Sequence, residues 1–157
     1  MKVLLDTNVI LDFALERAPF FEHAVRIIEE ANRADIRLFI TASAVTDVYY
    51  MLSKGGRNEQ ARDFLWQLTC LMDVCPVDRE TIVKALASDF ADLEDAVQCF
   101  AAEAFGAEII VTRNKADFAT ASLKALTPGE FCDRYLPRDA SIAKMDRQAE
   151  PPTLKNC

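Results

Sequence analysis

"VLLDTNVILD", residues 3–12, decides how the rest of the chain is read. Val3, Leu4 and Leu5 make a short, unbroken apolar run. Such a run fits a strand buried on both faces, as found where helices cover both sides of a parallel sheet. Asp6, Thr7 and Asn8 then interrupt it before apolar residues resume as a helix. A carboxylate on the last step of a buried strand has two readings: a cap for the following helix, or a group held where a sheet opens to its ligands.

The alternation continues outward from there. Short apolar runs at Lys2–Leu5, Leu38–Ile40, Val74–Val77, Glu108–Thr112 and Lys124–Leu126 predict five strands, with Pro76 pushing the third to an edge. A helix from Pro19 keeps Phe21, Ala24, Val25, Ile28 and Ala31 on one face. Further helices are expected over Ala42–Ser53, stopped by Gly55 and Gly56, and over Glu59–Met72. Asp78 caps a helix to Ala87, Asp92 another to Phe105 and Gly106, and Pro128 opens a last one toward Tyr135. Strands separated by helices imply an α/β fold, with a parallel sheet, helices on both faces and right-handed crossovers.

The bounds are ordinary. A chain of 157 residues is expected to form one domain, over residues 1–136, followed by a polar tail at 137–157 that is flexible or docked on a partner. No apolar run reaches the length that crosses a bilayer and no basic leader with a cleavage site opens the chain, so no membrane and a cytoplasmic location are expected. The five cysteines, Cys70, Cys75, Cys99, Cys132 and Cys157, are odd in number and form no CxxC pair, which suggests neither a disulfide framework nor a zinc site. A net charge of −7 argues against a broad basic surface for nucleic acid. It leaves room for a small anionic pocket that recruits cations, so the positions of the acids matter more than their sum.

Asp6 occupies one strand end. Asp117 lies five residues past Thr112 in "IIVTRNKADF", residues 109–118, at another, and the two share a crevice if the first and fourth strands are neighbours. Asp47, in "TASAVTDVYYML" (41–52), borders the apolar side of its helix, where an unpaired charge is expensive. "DFADLEDAVQ" (89–98) crowds Asp92, Glu94 and Asp95 at one helix start. Singly, each acid has a plain structural role: Asp92 as a cap, Glu94 solvated, Asp47 paired with an arginine. Together, they would repel. Two carboxylates 4 Å apart cost about 4 kcal/mol at an effective dielectric near 20, which protons or cations must offset. Oxygen ligands favour Mg²⁺ or Mn²⁺ over zinc. His23, the only histidine, is expected at the surface, so the chemistry left to these residues is metal-assisted hydrolysis.

"LLDTNVILD", an acid on the helix after the second strand, "DLEDAVQ" and "IIVTRNKADF" together resemble the PIN-domain ribonucleases, in the VapC-like branch of toxins from toxin–antitoxin systems. The resemblance spans about residues 2 to 135 and implies a three-layer α/β/α sandwich around a parallel sheet of about five strands, with Mg²⁺- or Mn²⁺-dependent hydrolysis of RNA. The family's acidic positions fall on Asp6, Asp47, Asp95 and Asp117, as metal ligands and catalytic groups. Three of them, Asp6, Asp95 and Asp117, are expected to hold one cation, with Asp47 completing the site or recruiting a second. Many members carry Glu where this chain has Asp47, and the shorter side chain points to binding through water. Thr7, Asn8, Ser43, Asp92 and Asn114 are read as supporting polar groups, Arg113 and Lys115 as cations lining the RNA entrance. An antitoxin and a second copy of the chain are the implied protein partners, for which Tyr49, Tyr50 and Trp66 are candidates, although core packing is expected for at least two of these three.

Two competing readings remain open on sequence. A haloacid dehalogenase-type phosphatase also places Asp after its first strand, but needs a second Asp where Asn8 stands. A non-catalytic PIN-like module would bind RNA or protein without cutting.

Overall fold

A computed structural model describes residues 1–136, so the expected polar tail at 137–157 lies outside the described residues. Five strands, β1 (Lys2–Leu5), β2 (Arg37–Thr41), β3 (Asp73–Cys75), β4 (Ile109–Val111) and β5 (Lys124–Leu126), form one parallel sheet in the order β3-β2-β1-β4-β5. The helices are α1 (Thr7–Ala14), α2 (Phe21–Glu30), α3 (Ala42–Leu52), α4 (Asn58–Leu71), α5 (Arg79–Leu86), α6 (Leu93–Phe105) and α7 (Pro128–Tyr135). All five expected strands are present, and β3 stops one residue before Pro76, whose missing N–H ends the ladder at the sheet edge. The second helix starts at Phe21, two residues after the expected Pro19.

Side-chain alternation along each strand builds the sandwich. Val3 and Leu5 of β1, Leu38 and Ile40 of β2, and Ile109 and Val111 of β4 enter one core with residues of α1 to α4 and α7. Leu4, Phe39 and Ile110, the residues between them, enter a second core with Cys99 and Ala102 of α6. The apolar triplets thus feed both layers, which is why they show no polar face. Ala85 of α5 packs on Ala96 and Val97, completing the α6 side. Local signals place the helix starts: Asp78 accepts from Thr81 N at 2.8 Å, and Thr127 and Glu130 close a reciprocal capping box around Pro128. Gly106 ends α6 with φ at +81°, a conformation that favours glycine.

The chain runs outward from β1 through β2 to β3, then returns to place β4 on the other side of β1. That reversal makes the carboxyl ends of β1 and β4 the switch point of the sheet, where a crevice opens. Of the three surface candidates, only Tyr49 packs against the core. Tyr50 is 66 % exposed and Trp66 75 %. The expectation that at least two would be core is corrected, because α3 and α4 turn these rings away from their shared buried face. Among the described residues no helix is long and apolar enough to cross a membrane.

Candidate active site

The ladder between β1 and β4 continues one step past β1: Asp6 N donates to Val111 O at 3.0 Å. This lays Asp6 beside Thr112, whose buried hydroxyl donates to Asp6 Oδ2 at 2.7 Å. Gln98 Nε2, from α6, donates to Oδ1 at 3.2 Å, and the Asn8 amide also donates to Oδ2. Asp6 holds the N-cap position of α1, yet its side chain makes no capping bond. Its oxygens are instead taken up by Thr112, Gln98 and Asn8. Burial raises its pKa, against the pull of the Thr112 and Gln98 donors.

Asn8 binds the two strand ends into one unit. Its amide reaches Thr112 Oγ1 at 3.3 Å, and its Oδ1 accepts from Arg113 N at 3.2 Å. Thr112 Oγ1 also accepts from Asn114 N at 3.0 Å, and Asn114 Nδ2 donates to Asp117 Oδ2 at 2.6 Å. The DTN and TRNxxD stretches are thus a continuous hydrogen-bonded network from Asp6 to Asp117. The phosphatase reading wanted a free acid at position 8 and meets an amide committed to three neighbours.

The start of α6 supplies the other wall. Asp92 is the cap expected of it, accepting from Glu94 N at 2.7 Å. The Asp95 carboxyl is pushed up to about 7, first by burial and then by the charges of Asp6, Asp117, Asp92 and Glu94. Glu94 is more than the solvated acid expected: it accepts from Thr7 Oγ1 at 3.1 Å. Its pKa is raised by burial and by the charges of Asp47, Asp6 and Asp92. Asp47 is half-buried, raised by burial, and has no hydrogen-bond or ion-pair partner among the described residues.

Other expected residues are occupied elsewhere. Ser43 Oγ lies 3.0 Å from Thr41 Oγ1, the cap of α3, and joins that cap instead of an acid. Lys115 is bound to both oxygens of Glu130, at 2.7 and 3.0 Å, and Glu130 is held down to about 2 chiefly by that contact. Arg113 Nη1 donates to Asp12 Oδ1 at 3.2 Å. Gln98, Thr112, Glu94 and Asp12 were missed as site residues. Gln98 and Asp12 carried a usable signal, a polar side chain at a position where helical spacing calls for an apolar one. His23 is exposed as expected. Cys75, Cys99 and Cys132 are buried free thiols, with pKa raised to about 11, 12 and 11 by burial.

Among the described residues no three His, Cys, Asp or Glu side chains stand together as a ready-made ion cage. The donor set still fits a hard divalent cation. It offers only oxygen, its carboxyls are raised by burial and mutual repulsion, and Mg²⁺ keeps several waters while binding one or two carboxylates.

Residues 2–116 match the family described as PIN domain. Ribonuclease VapC1 of Aquifex aeolicus (strain VF5) is 30% identical over 141 residues, 85% of this chain and 95% of the relative. Among solved structures, the DNA-bound VapBC of Salmonella typhimurium superposes with a TM-score of 0.65 at 17% identity, covering 82% of this chain and 98% of that one. VapC20 of Mycobacterium tuberculosis, a toxin that cleaves the sarcin-ricin loop, superposes with a TM-score of 0.60 at 12% identity, covering 75% and 94%. These two likenesses speak to the fold.

Proposed function

The chain belongs to the PIN-domain family, and from that premise we propose that it is an endoribonuclease of the cytoplasm, the toxin of a toxin–antitoxin pair, with Mg²⁺ or Mn²⁺ as its cofactor. One observation supports this most: hydrogen bonds tie Asp6 at the end of β1 to Gln98 of α6 and, through Asn8, Thr112 and Asn114, to Asp117 in the loop after β4, so groups from three elements border one crevice. Asp6, Asp95 and Asp117 would hold the cation, with Asp47 and Glu94 completing the acidic rim. When bound, the cation supplies stabilisation of phosphoryl charge and a water acidified toward neutral pH.

The protein's own part is preorganisation. Thr112, Gln98 and Asn8 lock the Asp6 carboxylate in place before any ligand arrives. Asn114 aims Asp117 from the neighbouring strand end, and Thr7 steadies Glu94 across the crevice. The relative's name, Ribonuclease VapC1, and the VapBC complexes among the structural neighbours support the substrate and the antitoxin partner. An antitoxin segment has a candidate seat in the apolar groove between α3 and α4, about 540 Å³, lined by Val45, Tyr49, Leu65 and Trp66. A second copy of the chain has one in the exposed Ile82, Val83 and Leu86 of α5.

The test is cleavage of a structured RNA with Mn²⁺, with and without chelator. Loss of cleavage with chelator, and in Asp6→Asn and Asp95→Asn, is expected. Cleavage that survives these changes would discard the site. A protein that binds RNA without taking up Mn²⁺ in calorimetry and without cutting would instead be the non-catalytic module.

A further inference from the structure

Asp12 is fully buried in α1, among Val9, Ile10 and Leu11, where an apolar residue would cost less. Its Oδ1 accepts from Arg113 Nη1 at 3.2 Å and lies 4.0 Å from Arg17, while its Oδ2 has no hydrogen bond. Replacing a buried ion pair by apolar packing is often neutral or stabilising, so stability alone is a weak reason for this carboxylate. What it achieves is to hold a guanidinium. Arg113 lies with its guanidinium carbon 4.7 Å from the centre of the Phe20 ring. Its side chain stays 32 % exposed and its Nε and Nη2 have no protein partner among the described residues. Phe20 is itself 38 % exposed.

The position of this pair matters. Arg113 N donates to Asn8 Oδ1, and the Asn8 amide donates to Asp6, so the Arg113 backbone is tied to the crevice while its guanidinium reaches along α1 to Asp12. Lys115, the other cation of the loop, is neutralised by Glu130. Arg17 and Arg113 around a single Asp12 leave a local positive excess in a chain of net charge −7. A fixed guanidinium with free donors beside an exposed ring fits unstacked RNA: the donors take a backbone phosphate and the ring takes a base.

We propose that Arg113 and Phe20, positioned by buried Asp12, form a subsite that grips single-stranded RNA beside the acidic crevice. The proposal rests on the ribonuclease reading and names the part of the substrate held next to the cut. Duplex RNA keeps its bases stacked inside the helix and offers none to Phe20.

The test uses the full chain in chelator, with a short single-stranded oligoribonucleotide and its duplex as probes, followed by anisotropy over a salt series. Arg113→Gln is expected to weaken single-strand binding and reduce the slope of log affinity against log salt by about 0.7, the loss of one phosphate contact. Phe20→Leu, which keeps an apolar side chain at this partly exposed position, is expected to weaken binding roughly fivefold or more with an unchanged slope. In Mn²⁺ Phe20→Leu should raise KM while kcat stays within about twofold of the unaltered protein. Unaltered affinity and slope in both variants, equal binding of duplex and single strand, or a fall in kcat with KM unchanged in Phe20→Leu would each overturn the subsite. If the unaltered protein neither binds nor cuts RNA, the ribonuclease reading fails and the subsite falls with it. Normal cutting alongside indifferent variants sinks the subsite alone.

Discussion

Gln98 Nε2 donates to Asp6 Oδ1 at 3.2 Å from a helix position that is only 1 % exposed. Thr112 holds the other carboxylate oxygen at 2.7 Å. The orientation of the strand-end acid is thus set by α6, by Thr112 just past β4 and by Asn8 of its own turn. The arrangement has a cost, because Gln98 Oε1 is buried without a hydrogen-bond partner. Such a side chain is explained by what it positions.

Gln98→Leu separates stability from activity. It removes a hydrogen bond to a buried carboxylate, about 1.5–3 kcal/mol, but also an unsatisfied amide oxygen that costs about 1–3 kcal/mol. The two nearly cancel. Urea unfolding should show a midpoint close to the original, while cleavage falls at least tenfold because Asp6 loses its fixed orientation. Full cleavage in this variant would show that Gln98 does not position Asp6.

Thr112→Val keeps the shape and deletes the hydroxyl shared by Asp6, Asn8 and Asn114. Leaving the Asp6 oxygen short of its donor should cost about 1.5–3 kcal/mol in urea unfolding. Thr112→Ser, which retains the hydroxyl, should recover most of that loss. Equal behaviour of the two variants would contradict the role of the hydroxyl.

The metal-free protein should lose stability as pH rises. Asp95 ionises near 3.8 when unfolded and near 7 when folded, so between these values the folded state keeps a proton that the unfolded state has released. This contribution is fully present below about pH 4 and is lost by about pH 7. Asp6, Asp47, Glu94 and Asp12 are raised in the same direction and add to it. Thermal melts in chelator should show a lower Tm at pH 8 than this group of acids allows at pH 5. Asp95→Asn should flatten that fall and raise Tm at pH 8, and Mg²⁺ or Mn²⁺ should protect the unaltered chain more at pH 8 than at pH 5. An identical pH profile in Asp95→Asn would remove the basis for this expectation.

Two cations of the same loop should differ in their structural weight. Lys115 pairs with Glu130 across an exposed surface, where a bridge contributes about 0–1 kcal/mol. Arg113 pairs with a carboxylate that is buried, and removing one partner of such a pair costs about 3–5 kcal/mol. Arg113→Ala should therefore lower the urea midpoint well beyond Lys115→Ala. Equal midpoints would mean that Asp12 finds another partner or takes a proton.

Much of the architecture was legible locally. Val3–Leu5, Ile109–Val111 and the capped helix starts at Asp78 and Asp92 carry their own periodicity and caps, which act over a few residues and so can be read from neighbours in the chain. The acids at the strand end and helix start were legible for the same reason: they break an apolar pattern. Asp12 and Gln98 broke it too, but their partners were invisible, since Arg113 is 101 residues from Asp12 and Gln98 is 92 residues from Asp6. Tyr50 and Trp66 illustrate the reverse case: core packing was expected for at least two of Tyr49, Tyr50 and Trp66, and helix packing turned both of these to solvent. By itself, then, the sequence determined which segments are strand or helix and where charge interrupts them, because those are short-range properties of the backbone. Only the tertiary structure decided that β1 lies against β4, that Asp6 is held by Thr112 and Gln98 instead of capping α1, and that Arg113 is anchored by Asp12. Those outcomes depend on strand order and helix packing, which bring together groups that no local spacing relates.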